Sequence, residues 1–101
     1  MENNNYFESI TTGKYSFIED TNVRSEMRES GKRKVFFVEG IYDKLVFNIV
    51  FEGKPYYFIP IGNCRQVRDY VEKCFKNLSK ESKFYGIVDR DFFDDEERIR
   101  N

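Results

Sequence analysis

Glu39 follows the apolar run Val35-Phe36-Phe37-Val38, and Asp89-Arg90-Asp91 follows the run from Phe84 to Val88. Carboxylates brought together at the ends of two buried strands repel one another unless a cation neutralises them. That repulsion is the physical reason to expect a metal ion among Glu39, Asp89 and Asp91. A site built from carboxylates alone favours a hard ion, Mg²⁺ or Mn²⁺. The chain contains no histidine. Ser-His and Cys-His nucleophiles and imidazole metal ligands are therefore excluded. Cys64 and Cys74 fall in one expected helix, about 15 Å apart at 1.5 Å per residue. This is too far for a disulfide. With no further Cys they cannot complete a zinc site, and they read as thiols in a reducing cytosol.

The elements that must position these acids can be traced along the chain. Residues 1–31 form a polar arm: Tyr15-Ser16-Phe17-Ile18 has the composition of a short strand, and Asn22 can cap a short helix that runs to Ser30 and stops at Gly31. Residues 32–101 hold the α/β part. Val35–Val38 reads as a strand buried on both faces. Ile41–Phe51 reads as a helix with Leu45, Val46, Ile49 and Val50 along its apolar face and Asp43 at its positive end. Tyr56–Ile61 is a second strand, and Pro60 places it at an edge or ends it early. Val67, Tyr70, Val71, Cys74, Phe75 and Leu78 recur at helical steps, with Arg68, Asp69, Glu72, Lys73 and Lys76 opposite. Phe84–Val88 is the third strand. Strand, helix, strand, helix, strand predicts an α/β fold with a parallel sheet and right-handed crossovers.

In such a sheet every strand ends at the same edge, and ligands bind where the strand order reverses. A spatial order of two-one-three makes the first and third strands neighbours, about 4.8 Å apart. Glu39 and Asp89 then stand side by side, with Asp91 just beyond. Taken singly, each acid has a plainer role: a solvated strand end for Glu39, a helix N-terminal charge for Asp43, a solvated run for Asp94-Asp95-Glu96-Glu97. It is their joint placement that points to chemistry.

Composition limits the partners. The net charge is -1 across 101 residues, so no global field draws the chain to nucleic acid. Any such contact needs local groups: Lys32, Arg33, Lys34, Arg65, Arg68 and Arg90, or a bridging metal. The aromatics sit in core-like runs and do not form a stacking platform. Met1-Glu2-Asn3-Asn4-Asn5 lacks the features of a secretory signal, and no stretch is long and apolar enough to span a membrane. A cytoplasmic location is expected. A three-stranded sheet leaves two strand edges, which invites pairing, so a homo-oligomer or complex is expected.

Val38-Glu39-Gly40-Ile41-Tyr42-Asp43 resembles the first Toprim motif, a strand ending in Glu-Gly with Asp three residues after the Gly. Val88-Asp89-Arg90-Asp91-Phe92 resembles the second, the Asp-x-Asp after strand three. The likeness covers roughly Asn22 to Phe93. It is nearest to the Toprim-like proteins, related to overcoming-lysogenization-defect nucleases, that accompany AAA-type ATPases in bacterial anti-phage loci. The resemblance implies a Rossmann-like three-layer sandwich and Mg²⁺-dependent cleavage or nicking of DNA or tRNA. Glu39 would serve as acid, base or ligand, and Asp89 and Asp91 would hold Mg²⁺ or Mn²⁺. It also implies an AAA- or ABC-type ATPase partner. Gly40, Asp43, Lys44, Gly62, Asn63, Arg65 and Arg90 would meet phosphate or nucleic acid. Asn63 replaces a second glycine common in the family. A full Toprim fold adds at least one strand after the Asp-x-Asp, so the fold is expected to be incomplete at the C-terminal end.

Other readings remain. A non-catalytic Toprim-like module could dock on an ATPase or another partner. Receiver domains carry an acidic pair at strand one, where this chain has Glu39-Gly40. In haloacid-dehalogenase phosphatases the Asp-x-Asp follows strand one, not strand three.

Overall fold

The computed structural model describes residues 13–78, 81 and 83–88. The first helix, α1 (Thr21–Ser30), starts at Asp20, whose carboxylate accepts the N–H groups of Asn22 and Val23 at 2.9 and 3.3 Å. The cap expected at Asn22 thus falls two residues earlier, where a carboxylate also suits the positive end of the helix dipole. Gly31 closes the helix. Then follow β1 (Lys34–Val38), α2 (Ile41–Val50), β2 (Tyr56–Pro60), α3 (Cys64–Asn77) and β3 (Phe84–Gly86).

The three strands form one parallel sheet in the order β2-β1-β3, as the alternating pattern predicts. Phe36 pairs with Phe58 on one side and Tyr85 on the other; Phe37 pairs with Ile59 and Gly86. Pro60 closes β2 opposite Val38, on an edge strand, where its missing N–H interrupts no ladder. β3 is shorter than the expected Phe84–Val88, yet Ile87 still donates its N–H to the Phe37 carbonyl at 2.9 Å.

Successive side chains point to opposite faces of a strand, and the two faces differ. On one face Val35, Phe37 and Ile59 meet Val23 and Met27 of α1 and Val67 and Cys74 of α3. Phe37 and Met27 are wholly buried. Burying a side chain of that size is worth about 1.5–3 kcal/mol. Tyr15 and Ile18 join this core from a turn, with Ile18 donating its N–H to the Tyr15 carbonyl at 3.0 Å. The short strand suggested there is not formed, because the reversal lets both side chains reach the core.

Helix α3 lies close to β3. A Cβ on Gly86 would stand 2.6 Å from Val67 Cγ1 and 2.9 Å from Val71 Cγ2. Glycine is thus the residue that admits this helix.

The other face is aromatic: Phe36 stacks between Phe58 and Tyr85. Helix α2 covers it through Phe47 and Phe51, whose rings lie 5.5 and 6.1 Å from that of Phe58. This corrects the apolar face assigned to α2. Leu45, Val46, Ile49 and Val50 are 51–74% exposed, and no residue of the helix is fully buried. Large flat rings at Phe47 and Phe51 match the aromatic sheet, so they turn inward and the aliphatic stripe faces solvent.

Candidate functional site

The carboxyl ends of β1 and β3 and the start of α2 enclose a cleft of about 300 Å³ lined by Glu39, Asp43, Phe47, Ile87 and Val88. Each lining residue has a local reason for its place. Glu39 is half-buried at the end of the central strand. Its carbonyl accepts the Gly62 N–H at 2.9 Å, one residue beyond the bond from the Ile61 N–H to the Val38 carbonyl. These two bonds prolong the β1–β2 pairing and hold Glu39 at the sheet edge. Asp43 stands in the first turn of α2, and its carboxylate accepts the Gly40 N–H at 3.1 Å. This contact closes the strand-to-helix turn. Ile87 and Val88 reach the cleft because the Ile87 N–H is tied to β1.

Of the expected acids, the structure brings Glu39 and Asp43 to one cleft. Asp89, Arg90 and Asp91 lie outside the described residues. Among the described residues no three acidic, Cys or His side chains are grouped closely enough to hold a metal ion. The oxygen donors of Glu39 and Asp43 suit a hard divalent cation. Asp89, the first residue of the Asp-x-Asp, follows Val88 in sequence.

The expected phosphate contacts are placed as follows. Gly40 and Gly62 give their N–H groups to Asp43 and to the Glu39 carbonyl. Gly62 has a φ of 134°, and an ideal Cβ there would overlap the Gln66 carboxamide at 1.7 Å. Its value is to let the chain turn sharply out of β2. Asn63 caps α3: its Oδ1 accepts the Gln66 N–H at 3.0 Å, while Gln66 Oε1 accepts the Asn63 N–H at 3.1 Å. Such reciprocal capping satisfies two otherwise orphaned donors. Lys44 is half-buried, whereas Arg65 is exposed in the first turn of α3. Lys32, Arg33 and Lys34 are exposed at the opposite, amino end of β1. Arg33 is held there by the Ser30 and Glu29 carbonyls at 3.0 and 2.7 Å.

Sequence reasoning missed Phe47 as a cleft wall. The signal was its position four residues after Asp43, one helical turn along the same side. It also missed Gln66, although Asn63-x-x-Gln66 is a legible capping pattern.

The strongly shifted groups lie away from the cleft. Burial pushes the Cys74 thiol up to about 12, with Glu81 adding to the effect. Burial and then the hydrogen bond to Glu26 raise Tyr57 well above the usual phenol range. Both belong to packing against α1 and α3, and neither supplies a nucleophile at neutral pH.

The class defined by this geometry is an α/β domain with a parallel 2-1-3 sheet and an acidic cleft at its carboxyl edge. No protein-family model, curated protein or solved structure matches the chain. Among the described residues no helix is long and apolar enough to cross a membrane.

Proposed function

We propose that this chain carries a Toprim-like domain that cleaves or nicks phosphodiester bonds with the help of Mg²⁺ or Mn²⁺. One observation carries the reading. Glu39 ends the central strand in a cleft shared with Ile87 and Val88, and Asp89 is the next residue in sequence. On this reading Glu39, Asp89 and Asp91 hold the ion. A bound divalent ion would draw off the charge that builds on phosphate oxygens during in-line attack. The chain's own residues set the frame: Asp43 fixes the Glu39–Gly40 turn, the β1–β2 bonds keep Glu39 at the edge, and Phe47 walls off one side from water. DNA and tRNA are the substrates to test. An AAA- or ABC-type ATPase partner, assembly as an oligomer or complex, a cytoplasmic setting and a role in anti-phage defence belong to the same proposal.

The test is nicking of supercoiled plasmid and cleavage of tRNA in Mg²⁺ or Mn²⁺, with and without an AAA- or ABC-type ATPase added. Glu39→Gln and Asp89→Asn should each lower the rate at least about a hundredfold, the usual scale for losing an acid–base or ligand group. Cleavage that survives both substitutions would contradict the assignment.

A second reading, a non-catalytic docking module, is favoured by one observation: the exposed aliphatic stripe of α2. It requires the surface but not Glu39.

A further inference from the structure

No further inference is drawn: the strongest candidate, the exposed apolar face of α2 around Leu45, Val46, Ile49 and Val50, has Lys44 and Lys54 beside Asp43 and Glu52, and nothing in the structure shows what covers it.

Discussion

The two faces of the sheet are built from the same three strands yet hold together differently. On the α1–α3 face, alternate residues Val35, Phe37 and Ile59 are sealed by two helices, and the packing is close enough to demand Gly86. On the α2 face the partners are rings, one helix covers them, and both Tyr85 and the outside of that helix remain exposed. The first face is a folding core. The second positions the Glu39 cleft, whose wall is Phe47, and leaves a surface for something else. The candidate cleft thus lies on the less completely covered side of the sheet, although Val38 and Phe58 are buried there too.

The contrast can be broken most directly at Phe37. Phe37→Ala should cost about 3–5 kcal/mol, the range for truncating a buried ring, as read by urea unfolding. Gly86→Ala comes next. The added methyl must displace Val67 or Val71, at about 1–3 kcal/mol, and the loss should appear in the same assay without a change at the cleft. Phe47→Ala sharpens the comparison from the other face. The residue is half-buried, so the loss should be only about 1–2 kcal/mol. Its effect on metal affinity at the Glu39 cleft should exceed that of Gly86→Ala.

The smallest effect concerns the buried thiol. The Cys74 thiol is held at about 12 against an ordinary 9.0. Folding therefore favours its protonated form. The stability this contributes is complete below about pH 9 and is lost as pH climbs towards 12. Alkylation of the native chain at pH 9 should therefore label Cys64, which is half-buried, and spare Cys74 until urea unfolds the chain. Labelling of both at equal rates in the native chain would show that the α1–α3 face is not sealed.

Much of the fold was legible in the residues. The run Val35–Val38 is covered on both faces of the sheet, and Val67, Tyr70, Val71, Cys74 and Leu78 share the core side of α3, so pattern identifies both elements; Phe75, of the same periodic set, is instead 73% exposed. Pro60 correctly marked an edge strand. Helix α2 misled because it has apolar residues nearly all round, and hydropathy does not distinguish an aliphatic stripe from an aromatic pair. The choice was made by the sheet, whose Phe36, Phe58 and Tyr85 accept Phe47 and Phe51. The turn at Tyr15–Ile18 misled for a similar reason: β-forming residues were drawn into a distant core. At the candidate site, Glu39 could be placed from its position after a buried strand. The use of the Gly40 and Gly62 N–H groups within their own turns could not, because it depends on where Asp43 and the Glu39 carbonyl meet them in space. The Toprim resemblance rests on the two quoted motifs and stands with the function as a proposal.

The central claim is that a divalent ion sits at Glu39. Paramagnetic broadening by Mn²⁺ in a ¹H–¹⁵N spectrum of the full chain tests it directly. At substoichiometric Mn²⁺ the amide signals of Gly40, Gly62, Ile87 and Val88 should fade first, those of Val23 and Met27 in α1 should persist, and Glu39→Gln should abolish the selectivity. Broadening that is uniform, that centres elsewhere, or that survives Glu39→Gln would contradict the account.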